Sequence, residues 1–177
     1  MFDNKKLSRA MLSLKAGDES VFEYIYDQTN RLVYYQIYSI VADHGLTEEV
    51  MQDVYMKIID KIHTYEDKSY PKAWIMMIAR NESLNLVKKR NRELIISDEK
   101  ISFISADEKS ETPLIDTAHE VLDEQSFLIV MYCVVENKTR REVGDIFNLS
   151  TSGVTFKLNE ALTKLRGYLE GGANNES

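Results

Sequence analysis

Cysteine occurs once, at Cys133, so no internal disulfide is available to this chain. Proline occurs twice and glycine seven times in 177 residues, too little for the turns of a strand-rich fold, and the balance moves toward helices. No apolar run approaches the ~20 residues that cross a bilayer. SFLIVMYCVV is about half that length and reads as one buried helix. The opening MFDNKKLSRAML lacks an apolar core of signal-peptide length, and together with the lone thiol this sets the expectation of a cytoplasmic protein. His44, His63, His119 and Cys133 are scattered without ligand spacing, no glycine-rich phosphate loop occurs, and no nucleophile has an evident base partner. The expectation is a non-enzyme with no metal, no cofactor and no catalytic residue.

What is present is charge, unevenly spread. The chain is 29% charged with a formal net charge of -7, and its 44% hydrophobic content suffices for one sizeable core or two small ones. Residues 1–62 hold 7 basic and 10 acidic side chains, whereas residues 63–97 hold 7 basic and 4 acidic. Residues 98–126 carry 9 acidic and 2 basic side chains, and the remainder balances at 6 against 6. The acidic stretch SDEKISFISADEKSETPLIDTAHE has no sustained helical period and reads as an extended linker. The expected architecture is all-α, with two small helical domains, 1–96 and 121–177, joined by an acidic linker at 97–120.

Hydrophobic spacing supports helices on both sides. Val21, Phe22, Ile25, Leu32, Val33, Ile37, Ile40 and Val41 recur at intervals of three and four, which predicts one long first helix. A break is expected at DHGLT. Val50, Val54, Ile58 and Ile62 then repeat every four residues, doubled by Met51, Tyr55 and Ile59, as a core-facing stripe. Pro71 suits the first turn of a third helix, where its missing amide donor costs nothing. Trp74, Ile75, Ile78, Ala79, Leu86 and Val87 give that helix an apolar side, with Trp74 expected in the core.

The final block, TRREVGDIFNLSTSGVTFKLNEALTKLR, is the most specific local signal. Thr139 and Glu142 have capping-box spacing, Val143, Ile146 and Phe147 form a short apolar face, and Asn148 suits a left-handed turn. Ser150 caps the next helix, whose buried side is expected to be Val154, Leu158, Ala161, Leu162 and Leu165. Two helices across a tight turn make a helix-turn-helix, winged-helix-like DNA-binding domain; a plain helical hairpin is the simpler alternative.

In order and spacing, GDESVFEYIYDQ, LTEEVMQDVYMKIIDKI, YPKAWIMMIARNESLNLVKKR and the last two helices resemble the extracytoplasmic-function group of bacterial sigma-70 factors. The resemblance covers nearly the whole chain. It implies a first domain that recognises and melts the minus-ten promoter element and docks on polymerase, and a second that binds the minus-thirty-five element. Core RNA polymerase, through its clamp coiled coil and flap, is the implied obligate partner, promoter DNA the second, and an anti-sigma factor a further one common in the family.

The residues themselves give the basic segment a physical role. Duplex DNA repels a chain of net negative charge, so contact requires a local basic patch, and Arg80, Lys88, Lys89, Arg90 and Arg92 lie on one helix able to supply it. Asn81 and Asn85, four apart on the face of Lys88 and Lys89, carry amides suited to base edges. A solvated helix end that complements the helix dipole is the bland alternative. The resemblance sets this face on the minus-ten element, adds Lys68 and Lys72, and makes the preceding loop receive a flipped base, with Tyr65 or Tyr70 as stacking surface.

On the second helix, Glu49, Gln52, Asp53, Met56 and Asp60 lie opposite the apolar stripe, too acidic for DNA and suited to a basic protein with a central apolar contact. An ordinary solvated face would look similar; the resemblance assigns it to the polymerase clamp. For the minus-thirty-five element the resemblance implies Arg140, Arg141, Ser150, Thr151 and Ser152, followed by Thr155, Phe156, Lys157 and Asn159. The family's usual cations are replaced here by Thr155, Glu160 and Leu162, which leaves Lys157 and Lys164 as the main positive side chains of that helix. Two other classes of function stay open: a helical adaptor that docks on polymerase without promoter selection, and an ordinary helix-turn-helix repressor, which the long linker and single reading domain disfavour.

Overall fold

The computed structural model describes residues 2–66, 70–97 and 112–173, and every regular element among them is helical. The chain forms two compact units, Met1–Lys109 and Ser110–Ser177. None of the described helices is long and apolar enough to cross a membrane.

The first unit contains α1 (Phe2–Lys15), a 3-10 turn at Glu19–Val21, α2 (Phe22–Val41), α3 (His44–Lys61), a 3-10 turn at Ile62–Thr64 and α4 (Pro71–Ser97). Helix α1 was not among the expected elements. It forms because Leu7, Ala10, Met11 and Leu14 recur with helical spacing and are all buried against the other helices. The break after α2 is shorter than expected. Ala42 enters the left-handed region at φ 54, and the Asp43 carboxylate then caps α3 by accepting from Leu46 N at 2.8 Å, which brings His44 to Thr47 into the helix.

Helix α2 packs on α3 and α4, α3 on α4, and α1 crosses α2 and α4. Ile25, Val33 and Ile37 meet Val50, Val54, Ile58, Ile75, Ile78 and Ala79 in one core. Each large aliphatic side chain buried there contributes about 1.5–3 kcal/mol. Thr29 is admitted because its hydroxyl donates to Ile25 O at 2.7 Å and shares a 2.9 Å bond with the Tyr55 hydroxyl. Burial pushes the Tyr55 phenol well above its ordinary value, so the side chain stays a neutral core group. The doubled stripe of α3 holds only in part: Tyr55 is buried and Met51 half-buried, but Ile59 is 41% exposed because it lies one step past the core-facing arc.

The second unit contains α5 (Pro113–Val121), α6 (Glu124–Val130) continued by a π-turn at Met131–Val135, α7 (Arg140–Phe147) and α8 (Thr151–Ala173). Helix α5 falls inside the stretch read as linker. Pro113 starts it, and the burial of Ala118 and Leu122 against α6 and α8 holds it. Residues 98–111 of the expected linker lie outside the described residues. The run SFLIVMYCVV is buried from Ser126 to Tyr132, as expected, but Val134 and Val135 are exposed. No strand occurs among the described residues, so α7 and α8 have no wing there.

The turn between α7 and α8 follows its local signals. Thr139 and Glu142 form the capping box, with Thr139 N donating to the Glu142 carboxylate at 2.8 Å and Glu142 N to Thr139 Oγ1 at 3.3 Å. Asn148 sits in the left-handed region at φ 54. Ser150 Oγ accepts from Gly153 N at 3.0 Å and caps α8. Val154, Leu158 and Ala161 are buried as expected, whereas Leu165 is half-buried and Leu162 is 37% exposed, turned off the core-facing arc.

At Gly144 the turn leaves no room for a side chain: a Cβ would stand 2.5 Å from the Leu149 carbonyl oxygen, while Leu149 N donates to Gly144 O at 2.9 Å. Gly144→Ala is therefore expected to cost about 1–3 kcal/mol. The expected signature is loss of hydrogen-exchange protection along α7 and the start of α8, with the amides of α1 to α4 unchanged. Full protection of α7 in the variant would show that the turn tolerates the extra carbon.

Candidate nucleic-acid interface

Helix α4 carries the basic segment, and its burial decides which side chains reach solvent. Tyr70 O accepts from Trp74 N at 3.0 Å to open the helix. Ile75, Met76, Ile78 and Ala79 face inward, and Ser83 joins them because its hydroxyl donates to Ala79 O at 2.8 Å. Asn81, Asn85, Lys88 and Lys89 are left exposed at spacings of three and four on one side, with Arg80 and Arg92 exposed beside them. Amides thus lie toward the middle of the helix and cations toward its end. Arg90, two residues beyond Lys88, turns to the opposite side and is half-buried, so it does not join this face.

Two residues assigned to the same surface are elsewhere. Tyr65 is fully buried: its hydroxyl shares a 2.9 Å bond with Ser8 Oγ, its carbonyl accepts from Lys15 Nζ at 2.7 Å, and its ring meets Trp74 edge-on at 5.6 Å. It cannot stack on a base, because α1 closes over it. Lys72 is 4% exposed in the first turn of α4 and cannot meet a phosphate. Tyr70 is well exposed and keeps the stacking role open, Trp74 packs against the core as expected, and Lys68 lies outside the described residues.

Met77 was missed. It is exposed four residues before Asn81, in line with both amides. The signal was available, since an apolar residue there is out of phase with Ile75, Ile78 and Ala79.

Helix α3 presents a separate surface. Glu49, Gln52, Asp53, Met56 and Asp60 are all exposed, opposite the buried Thr47, Val50, Val54 and Ile58. Ile59 adds to Met56, so the face is an acidic surface around two exposed apolar side chains. In composition it suits a basic protein surface better than DNA.

In the second unit, Arg140 and Arg141 are exposed at the start of α7, and Ser150, Thr151, Ser152, Phe156 and Asn159 are exposed along the turn and α8. Thr155 is half-buried, with its hydroxyl donating to Thr151 O at 2.8 Å. Lys157 is half-buried. Lys157 and Lys164 both act electrostatically on Asp123, the cap of α6, and Lys164 also pairs with Glu160 at 3.2 Å. Burial alone would raise the Asp123 carboxyl, but bonds from Ser126 and the two lysines hold it below its ordinary value. Arg166, farther along α8, is exposed.

Comparisons with known proteins bear on these surfaces. The family model described as sigma-70 region 2 matches residues 25–93, which take in most of α2, all of α3 and the exposed face of α4. The ECF RNA polymerase sigma factor SigM of Bacillus subtilis (strain 168) is 28% identical over 160 residues, covering 86% of this chain and 97% of that protein. SigX of the same organism is 31% identical over 72 residues, 41% of this chain, and the match spans 37% of that protein's length. Among solved structures, CnrH in complex with the cytosolic domain of CnrY matches with a TM-score of 0.64 at 15% identity, covering 96% of this chain and 98% of that one. The sigma factor RpoE of Bartonella quintana, in complex with the anti-sigma factor NepR, matches with a TM-score of 0.58 at 21% identity, covering 84% and 96%. At those identities the structural likeness speaks for the helical fold. The region 2 match over residues 25–93 and the near full-length alignment to SigM make the chain similar to the extracytoplasmic-function RNA polymerase sigma factors, over its first unit by the family model and over most of its length by SigM.

Proposed function

We propose that the chain acts in the cytoplasm as an alternative sigma factor, directing core RNA polymerase to specific promoters without performing chemistry of its own. In this reading the α3 face carrying Glu49, Asp53 and Met56 docks on the clamp coiled coil. The α4 face carrying Asn81, Asn85, Lys88 and Lys89 holds the minus-ten element as it opens, with Met77 and Tyr70 beside it. The acidic segment joining the units occupies a polymerase channel built for RNA. Helices α7 and α8 act as a helix-turn-helix on the minus-thirty-five element, and the second unit contacts the flap. An anti-sigma factor is a further expected partner.

The observation that carries this reading is the separation of two faces within one helical unit. An acidic surface with an apolar centre on α3 and an amide-and-cation surface on α4 suit two different macromolecules, a basic protein and DNA. One observation favours a second reading, of an adaptor whose second unit does not grip DNA: on α8, Lys157 is half-buried and Lys164 pairs with Glu160.

Reversing Glu49 and Asp53 to lysine is expected to weaken binding to core polymerase by on the order of a hundredfold, since like charge placed against a basic partner costs several kcal/mol. Both side chains are exposed, so the helical spectrum should not change. Unchanged co-purification of the variant with core enzyme would remove this face from the proposal.

Replacing Asn81, Asn85, Lys88 and Lys89 with alanine should preserve polymerase binding and abolish promoter opening, as read by permanganate reactivity of unpaired thymines. Opening at the wild-type level would make this surface merely a solvated one.

A salt series separates the two readings of the second unit. Thr155→Lys with Glu160→Arg should steepen the slope of log affinity against log salt for promoter binding by roughly 2, about 0.9 for each added phosphate contact. An unaltered slope in a folded variant would favour the adaptor.

A further inference from the structure

We infer that Phe156 reads a thymine in the upstream promoter element by laying its ring against the C5 methyl group, an assignment that rests on α7 and α8 being the duplex-reading pair. Phe156 is 71% exposed and lies opposite the buried Val154, Leu158 and Ala161. Ser152, four residues before it, and Asn159, three after it, share that side and are exposed. Eleven consecutive residues, Ile146 to Phe156, carry no charge in a chain that is 29% charged. A solvated helix face would be expected to include charge, as Glu160 and Lys164 do farther along α8. A side desolvated against base edges has different needs: neutral hydroxyls and an amide for hydrogen bonds, and an apolar group only where the partner is apolar.

On the floor of the major groove the thymine methyl is the one large apolar feature, and phenylalanine is among the side chains that match it. A phenyl ring gains nothing from a phosphate oxygen or an amino edge, so the methyl is the group it can select. Of the neighbouring cations, Lys157 is half-buried and Lys164 pairs with Glu160 at 3.2 Å. Arg140 and Arg141 remain exposed on α7 to position the backbone. Selectivity in this helix then comes from one apolar contact flanked by the neutral Ser152 and Asn159, with Glu160, four residues beyond Phe156, held in its pair with Lys164.

Holoenzyme reconstituted with core polymerase would select promoters from a duplex library randomised upstream of the minus-ten element. Each thymine of the selected upstream element is then replaced singly by deoxyuridine, which deletes only the methyl group. Wild-type holoenzyme should lose about fourfold in affinity at one position, the weight of one buried carbon group. Phe156→Ala holoenzyme should bind the thymine and deoxyuridine duplexes equally there, and core binding without DNA should be unaffected. Equal wild-type binding of both duplexes at every position, with base-pair swaps in the element still penalised, overturns the assignment of Phe156 and leaves the duplex-reading pair standing. If swaps carry no penalty either, the reading of α7 and α8 falls and the assignment with it. Weaker core binding by Phe156→Ala in the absence of DNA would place the ring in a protein contact and overturn it as well.

Discussion

Burial of Ile75, Ile78, Ala79 and Ser83 fixes the rotational phase of α4, and the polar surface of that helix follows from the phase. A helix turns by about 100° per residue, so a slip of one position would carry Asn81 toward the core and bring a large aliphatic residue out. Burying an unpaired amide costs about 1–3 kcal/mol and exposing an isoleucine about as much again, a large share of a typical domain's stability. Ser83 does not disturb the phase, because its hydroxyl is satisfied within the helix by Ala79 O. With the phase fixed, Asn81, Asn85, Lys88 and Lys89 point outward together and Arg90 does not. The same logic holds on α3, where Val50, Val54 and Ile58 go inward and Glu49, Asp53 and Met56 go out.

What could be read from the sequence was whatever a short window determines. The capping box at Thr139 and Glu142, the left-handed Asn148, the Ser150 cap and the proline start of α4 each depend on a few neighbouring residues, and each is observed. The exposed α3 face and most of the α4 face depend on helical phase, which the apolar spacing carries. Tyr65, by contrast, depended on a helix that was not among the expected elements. Tyr65 reads as an aromatic in a polar loop until α1 is known to cover it, and α1 was overlooked although Leu7, Ala10, Met11 and Leu14 have the spacing of a buried stripe. Helix α5 is short and acidic around its apolar positions, so its composition read as linker. Ile59 and Leu162 share a simpler cause: each sits at the edge of an apolar arc, where spacing places a residue on the right side but cannot say how far the neighbouring helix reaches.

Charge in this chain is confined more tightly than composition suggests. The net charge of -7 opposes any approach to DNA, and the region from 63 to 97 is the one stretch with a clear cationic excess. On α4 the exposed lysines sit one to two turns beyond the amides, so groups suited to phosphate and groups suited to base edges occupy adjacent parts of one surface. On α8 the arrangement differs: Lys157 is half-buried, Lys164 pairs with Glu160, and the side of Ser152, Phe156 and Asn159 offers a hydroxyl, a phenyl ring and an amide. Such a surface has little long-range attraction and depends on shape and desolvation at contact. Under the proposed function, the electrostatic hold comes from the first unit, and the second contributes selection once polymerase has brought it to the duplex. In that proposal the absence of charge from Ile146 to Phe156 keeps non-specific affinity for phosphate low, the background against which a single apolar contact has to be distinguished.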